Sequence, residues 1–503
     1  MSFLFNNFSV LVVAVSASLL AWLFGGTDGP VLLKVAPWII VLLLETLIAF
    51  PQRREGESSY DARERVWKSF KRDPLCWVVL GLAVLLVFPF VNNGLCQNCD
   101  AALIATGVSP KPPIPVLPFC VDRIAHLNVF LWFALVLPMI LIVRHGMNRH
   151  GQRLLIELLV WNGVGLSVLG FVQQATGAPG PLWNENSGVP GNSVGTFFSA
   201  FGYPNMGGDY FVVLFGLAAA LWRDHFEQTQ QILKEQAESG SISRKNKSFW
   251  HRNYYLIPAG IFFFSALATL SRAAIMLAVG TAVVYFAHSL VSLLKRKHRA
   301  ERVRIGTICI AVLGLLIFFA TIFAPDDFRR EVNTLDTAGV LDRVTGRGYY
   351  HSRVATEVWK DHVLFGCGGW GYPHHCIQKM TKDELKAIQM VGGINVHNDY
   401  LQFLAEHGLV GFGAMVAIVI MLIWPIAVEW RKLARQARFI KGKDAPAKPV
   451  QIFALPAPVF FLLTAAVATF IHGFGDCPLR SPAVLSLFFI TLAALPGFMY
   501  KKG

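Results

Sequence analysis

The chain has 503 residues, 54% of them hydrophobic and 15% charged, and its mean hydropathy is +0.49. A soluble domain carries about 25% charged residues, so the composition excludes an ordinary soluble protein and predicts an all-α polytopic membrane protein. The formal net charge is +14. We expect no nucleic-acid partner, because the charge follows the predicted membrane topology.

Apolar runs long enough to cross a bilayer recur along the chain. We predict about 12 transmembrane helices, over residues 8–24, 31–50, 75–91, 126–143, 154–174, 201–222, 254–270, 273–294, 305–324, 407–428, 452–471 and 482–499. Residues 1–324 then hold spans 1–9, 325–406 form a large loop domain with amphipathic helices, and 407–503 hold spans 10–12.

Lys and Arg residues divide unequally between the two sides of this topology. Loops on the side that holds both termini carry 31 of them, the opposite side carries 14, and 9 of those 14 lie in 325–406. By the positive-inside rule, both termini are cytoplasmic and the large loop domain faces the periplasm. The lipid bilayer is therefore one expected partner.

Six of the eight cysteines fall on the predicted outer side: Cys96, Cys99, Cys120, Cys367, Cys376 and Cys477. Disulfides persist in oxidising compartments such as the periplasm, and spacing alone does not fix their pairing. Cys367 with Cys376 is one candidate pair, and two of the three earlier cysteines form another. A zinc or redox site at Cys96 and Cys99 is the alternative.

Two polar breaks precede the loop domain. At the start of span 6, Tyr203, Asn205 and Asp209 either face a substrate or form a kinked helix start with a capping asparagine. Between spans 7 and 8, Ser271 and Arg272 interrupt about forty apolar residues. An arginine in this place either reaches back to the membrane interface or binds an anion.

The basic residues of the loop domain are spread along the segment rather than clustered. Arg347 and Arg353 flank a short aromatic stretch, and we predict a helix over 349–365 followed by a glycine turn at 366–372. The turn lacks the Lys-Ser/Thr pair of a nucleotide-binding loop. A metal site at His374–Cys376 is an alternative reading.

The stretch Asn395–Gly411 joins the loop domain to span 10 and places His397, Asn398 and Asp399 at its outer end. Ionisable groups at a membrane helix are costly and predict function. Further along, His407 is interpreted as a residue at the interface. The last outer loop adds Asp476 and Arg480, which either bind substrate or pair with each other.

The spacing His397-Asn398, nine residues, Gly408 and Gly411 resembles the signature of the O-antigen ligase family, bacterial membrane enzymes that move a lipid-linked glycan onto lipopolysaccharide core. Similar family features are a Pro-Asn before span 6, a Ser-Arg turn between spans 7 and 8, a Gly-Arg that opens a helix ending before a Gly-x-Gly turn, and Asp-x-Pro-Leu before the last span. The resemblance implies catalytic roles for His397, Arg272 and Arg347. Candidate substrate-binding residues are Arg353, Asn398, Asp399, Tyr203, Asn205, Asp476 and Arg480.

The implied donor is an undecaprenyl-diphosphate-linked glycan, and the implied acceptor is a hydroxyl of lipid A-core or another glycan. Arginines would neutralise the diphosphate leaving group, and His397, oriented by Asp399 or Asn398, would act as general base. Transfer would be inverting and would need no metal, cofactor or ATP, at the periplasmic face of the bacterial inner membrane.

Three other functions stay open. An O-antigen polymerase or a protein O-oligosaccharyltransferase of the same superfamily would share this membrane design. A lipid-glycan transporter is the reading from a different class. It predicts charged residues in the middle of spans and internal repeats, and neither is seen in the sequence.

Overall fold

The computed structural model describes residues 6–54, 56–92, 114, 116–184, 197–238, 253–294, 314, 347–381, 384, 395–439 and 455–499. These residues form helices and no β-strand; the two-residue bridge between Phe198 and Phe201 is isolated. We number the main helices of these ranges in chain order: α1 Phe8–Trp22, α2 Gly29–Ala49, α3 Ser59–Arg72, α4 Pro74–Val87, α5 Arg123–Leu141, α6 Arg149–Ala175, α7 Pro204–Glu238, α8 Leu256–Ala268, α9 Arg272–Leu294, α10 Arg347–Asp361, α11 Tyr372–Cys376, α12 Asp399–Phe439, α13 Ala457–His472 and α14 Pro482–Ala494.

Six helices of the described chain are long and apolar enough to cross a membrane: α2, α5, α6, α7, α9 and α12. A seventh span results if α3 and α4, which meet at a bend of 75°, are counted together. The apolar helices α1, α8, α13 and α14 are shorter and coincide with four other predicted spans. The helical membrane class is confirmed; the predicted span at 305–324 lies outside the described residues, and the total of twelve stays a prediction.

Helix α7 is the central helix of the bundle. In its most apolar window 83% of residues are buried, against 22% for α12. It packs against α6, α8, α9 and α13, so polar side chains on it need partners within the protein. Much of α12 instead faces outward, with Leu409, Ile420 and Trp424 about half exposed.

A second, smaller hydrophobic core lies in the loop domain. It joins Val354 and Val358 of α10 to Tyr372 of α11 and to Ala405 in the first part of α12. Phe119, from a loop that precedes α5, completes it. The predicted loop domain therefore has its own core, and that core includes a segment that the sequence assigned to a different loop.

Helix α12 is broken at Gly408, which has φ +62° and ψ −170°. Backbone hydrogen bonds between residues 363–368 and 405–410 satisfy the groups at this break, and we call this contact the crossing. Cys367 and Gly368 donate backbone N–H groups to the carbonyls of Ala405 and Glu406, each at 2.9 Å. In return, the N–H groups of residues 409 and 410 donate to the carbonyls of 363 and 364, at 2.9 and 3.0 Å. The backbone groups that a broken membrane helix leaves without partners are thus satisfied by the glycine turn.

Glycine is required on both sides of this crossing. A Cβ on Gly408 would lie 2.3 Å from the carbonyl carbon of Leu364, and a Cβ on Gly366 would lie 2.2 Å from that of Glu406. His407, interpreted from the sequence as an interface residue, is only 4% exposed. That interpretation was wrong because the His407 ring packs inside the protein, against Phe133 and Phe403.

Candidate functional site

Four segments meet at one end of α7 and form the candidate active site. They are the start of α7, the turn between α8 and α9, the start of α12, and the loop 473–481 between α13 and α14. Each contributes one polar side chain to a continuous chain of hydrogen bonds: Asn205, Ser271, His397 and Asp476.

His397 precedes α12 in a left-handed conformation, with φ +51°. Its Nδ1 lies 3.1 Å from Oδ1 of Asp476, and its side chain is 39% exposed. The next residue, Asn398, caps α12 by accepting the N–H groups of Tyr400 and Leu401. The helix start thus fixes the backbone of His397 while its ring stays accessible.

Asp476 is a buried carboxylate saturated with donors. Tyr203 donates its hydroxyl to both oxygens, at 3.1 and 3.0 Å, and Asn205 donates its amide to Oδ2. The Cys477 backbone N–H donates to Oδ1 at 2.8 Å. Burial by itself would raise the pKa of Asp476, but the hydrogen bond and charge of His397 outweigh it and lower that pKa to about 2.

The ionisation of Asp476 sets the tautomer of His397. An ionised carboxylate only accepts hydrogen bonds, so Nδ1 of His397 must carry a proton and donate it. Nε2 is then the basic ring atom, and no hydrogen-bond partner for it is found among the described residues. The pair has the arrangement of an oriented general base.

Three helices begin at this site. Asn205 lies at the start of α7, and its Oδ1 accepts the hydroxyl of Ser271 at 2.5 Å. Ser271 in turn accepts the Ala274 N–H and so caps α9, whose first residue is Arg272. Helix N-termini carry partial positive charge, so the starts of α7, α9 and α12 together favour an anionic ligand.

Asn398 and Asp399 hold the loop 473–481 against α12. Asp399 is 7% exposed, accepts the Leu479 N–H at 2.9 Å, and donates its own N–H to Gly473. Asn398 donates its amide to the carbonyl of Phe474 at 3.2 Å. From the sequence, either one of these two residues orients His397 or a helical turn points them elsewhere; in the structure both bind the loop that brings Asp476 to His397.

Arg353 and Arg480 have carboxylate partners within the protein. Arg353 donates to Glu357 at 2.6 Å and to Glu384 at 2.9 Å. Arg480 donates to Glu406 at 2.8 Å and lies 4.5 Å from the Trp370 ring centroid. The alternative Asp476–Arg480 pair is not formed, because Asp476 contacts His397 and Arg480 contacts Glu406.

Arg347 is the first residue of α10, and His351 lies one turn later on the same helix face. The His351 ring centroid lies 5.7 Å from that of His397. His351 was not among the site residues predicted from the sequence. This contact places His351 beside His397, whereas the side chain of Arg353 is held by Glu357 and Glu384.

The ligand atoms of His397, Asp476 and Cys477 lie within 4.8 Å of one another, a spacing that a metal ion would fit. The donor chemistry argues against it. The oxygens of Asp476 already accept hydrogen bonds from Tyr203, Asn205 and the Cys477 backbone N–H. The group fits a hydrogen-bonded dyad better than a metal centre.

Two further predictions concern the loop domain: a metal site at His374–Cys376 and a disulfide between Cys367 and Cys376. His374, His375 and Cys376 form no such group within the described part of the chain, and burial lowers the pKa of His375 to about 4. Cys367 and Cys376 are both buried free thiols, so their expected disulfide is not formed in this structure. Cys96 and Cys99 lie outside the described residues.

Residues 257–416 match the sequence model of the O-antigen ligase family. The match includes Arg272, Arg347, His397, Gly408 and Gly411, and it confirms the resemblance that these residues predicted. No curated protein matches the chain. The match supports a membrane glycosyltransferase of the O-antigen ligase or polymerase type.

Proposed function

We propose that this chain, whose residues 257–416 match the O-antigen ligase family, transfers a glycan from undecaprenyl diphosphate to a hydroxyl of lipid A-core. The observation that carries the proposal is the hydrogen bond between His397 and Asp476. It supplies an accessible imidazole, in a fixed tautomer, beside the starts of three helices.

His397 acts as the general base. A neutral sugar hydroxyl is a weak nucleophile, and a positioned base that removes its proton in the transition state contributes about 10²–10⁴-fold in rate. Nε2 takes that proton, and Asp476 stabilises the resulting imidazolium through the Nδ1–H hydrogen bond. Tyr203 and Asn205 hold Asp476 in place for this role.

The donor's diphosphate binds at the helix starts. As the acceptor oxygen attacks the anomeric carbon, the bond from that carbon to the phosphate oxygen breaks and the diphosphate leaves with the electron pair. Arg272, at the start of α9, and Arg347, at the start of α10, neutralise the charge that develops on it. Guanidinium groups suit this role because they stay charged and bind phosphate oxygens in pairs.

Attack and departure on opposite faces of the anomeric carbon give inversion. The activated glycosyl–diphosphate bond supplies the driving force, so neither ATP nor a nucleotide sugar is required. Bilayer-facing positions on α12, such as Leu409 and Val410, are about half exposed next to the break. A polyprenyl tail can lie against such a surface while its diphosphate reaches the polar site.

A reconstituted assay tests the proposal. Purified protein in detergent receives undecaprenyl-diphosphate glycan and lipid A-core, with chelator and without nucleotide, and a gel shift of the core reports transfer. We expect transfer by the wild type and by His150→Ala, an exposed histidine at the start of α6, and none by His397→Ala.

Other products would redirect the assignment. Longer lipid-linked glycan with unmodified core would mean a polymerase, and glycan on an added acceptor protein would mean an oligosaccharyltransferase. Tight donor binding without any product would contradict a transferase and favour a transporter.

A further inference from the structure

One helical turn deeper along α7 lies a second carboxylate–imidazole pair. Oδ1 of Asp209 lies 3.0 Å from Nδ1 of His472, the last residue of α13, and the two side chains are 0% and 1% exposed. Thr469 donates its hydroxyl to the other oxygen of Asp209 at 2.8 Å. The proposed transfer reaction does not use this pair, because neither side chain reaches the surface of the site.

The pair is connected to the site through the backbone. Helix α13 ends at His472, and the His472 carbonyl accepts the N–H of Asp476 at 3.0 Å. The next carbonyl, of Gly473, accepts the N–H of Asp399 at 2.8 Å. The turn that Asp209 holds is therefore the turn from which the loop leads to Asp476, four residues later.

The same face of α7 contacts both parts of this segment. Asn205 and Asp209 are four residues apart, so they lie one above the other on the helix. Asn205 contacts the carboxylate of Asp476, and Asp209 contacts His472. Helix α7 thus holds the end of α13 and the loop that follows it through two contacts, one helical turn apart.

We propose that Asp209 and His472 are positioning residues that fix Asp476 and, through it, the imidazole of His397. The inference rests on the proposed transferase function. An apolar pair of similar size could pack here without the cost of burying charge. The hydrogen bond between His472 and the carboxylate of Asp209 is directional, so it also fixes the rotation and height of α13 against α7.

Asp209→Asn is the test variant. The amide keeps the size and can still accept from Thr469, but its NH₂ group cannot accept the hydrogen bond of His472. We expect kcat to fall by about 10²-fold, as for a displacement of about 1 Å in a reacting group. KM for the lipid-linked donor should change by less than about 2-fold, because binding and positioning are separate contributions to rate.

Thr469→Val is the matched control. It removes one hydrogen bond of similar length and leaves the carboxylate–imidazole pair, so its kcat should fall by less than about 5-fold, the effect of losing one hydrogen bond of about 1 kcal/mol. Hydrogen exchange gives a readout independent of activity. We expect faster exchange in Asp209→Asn at the N–H groups of Asp399 and Cys477, which hold the loop, and unchanged exchange in α4 and α5.

Three results would overturn the proposal. They are unchanged kcat with unchanged exchange, equal losses of turnover and donor binding with a lower melting temperature, and equal effects of the two variants. If the wild type transfers no glycan, the proposed function fails on its own account. The exchange arm still decides whether Asp209 positions the loop.

Discussion

The two ends of the segment from His397 to Gly411 are used in different ways. At the first end, side chains act: His397 is accessible and hydrogen-bonded to Asp476, and Asn398 caps a helix. At the other end the backbone acts, since Gly408 is a break in α12 that four hydrogen bonds to residues 363–368 complete. One sequence pattern therefore combines a chemical group with a structural crossing.

The nine residues between the two ends explain why they occur at a fixed spacing. Residues 399–407 form a helical segment of about 13 Å, at 1.5 Å per residue. The crossing anchors one end of this segment to the loop domain, and the other end presents His397. A pattern that includes both ends predicts a site more specifically than a histidine alone, because it specifies the support as well as the reacting group.

The largest expected effect is the loss of transfer activity when the imidazole of His397 is removed. We expect His397→Ala to lose about 10³-fold or more in transfer rate, the contribution of a positioned general base, while its melting temperature in detergent stays close to that of the wild type. Transfer assays and thermal unfolding of the same preparation check this. Activity that survives within about tenfold would assign the base to another residue.

Adding one methyl group at Gly408, the other end of the segment, should lower the stability of the protein rather than remove a reacting group. In Gly408→Ala the Cβ meets the backbone of Leu364 at 2.3 Å, and the left-handed φ is itself unfavourable. We expect a loss of more than about 2 kcal/mol of stability, measured by unfolding in detergent. Gly413→Ala is the control because nothing lies within 4 Å of its added Cβ; equal stability of the two variants would contradict the crossing.

Protonation of Asp476 should not contribute to the pH dependence of transfer near neutral pH. The pKa of this carboxyl is lowered from 3.8 to about 2, so its stabilising contacts are complete above about pH 4 and are lost only as the pH falls toward about 2. Between pH 4 and 9 the protonation of Asp476 should therefore not limit the rate. In Asp476→Asn the rate should be lower at every pH of a profile over that range, because a neutral amide stabilises the imidazolium less well than a carboxylate does.

The smallest effect is expected at Arg353. Its pairs with Glu357 and Glu384 lie near the surface, where such pairs contribute less than about 1 kcal/mol. Arg353→Gln should reduce transfer by less than about 3-fold, whereas Arg347→Gln should lose about 10²-fold if its guanidinium meets the leaving group. Similar losses in the two variants would return Arg353 to the substrate site.

The sequence predicted the helical membrane class and the approximate places of most apolar helices, because hydropathy is local. It also singled out His397, whose catalytic role stays a prediction. It did not predict which carboxylate orients the imidazole. Asp399 is two residues away in sequence, but a helix start turns it to Leu479, and the actual partner is Asp476, 79 residues later. Likewise, the glycines at 366 and 408 read as turn and helix signals, and only the packed chain shows that they face each other.

The carboxylate at the centre of the site comes from the last loop of the chain. The Asn205–Asp476 hydrogen bond joins residues that are 271 positions apart in the sequence, and the Tyr203–Asp476 hydrogen bond joins residues that are 273 positions apart. During synthesis, a chain that has inserted everything up to α12 therefore has the histidine without its carboxylate. Because long-range contacts form last and slowly, catalytic competence should appear only after α13 and α14 have been inserted, so that incompletely made chains would not turn over the lipid-linked donor.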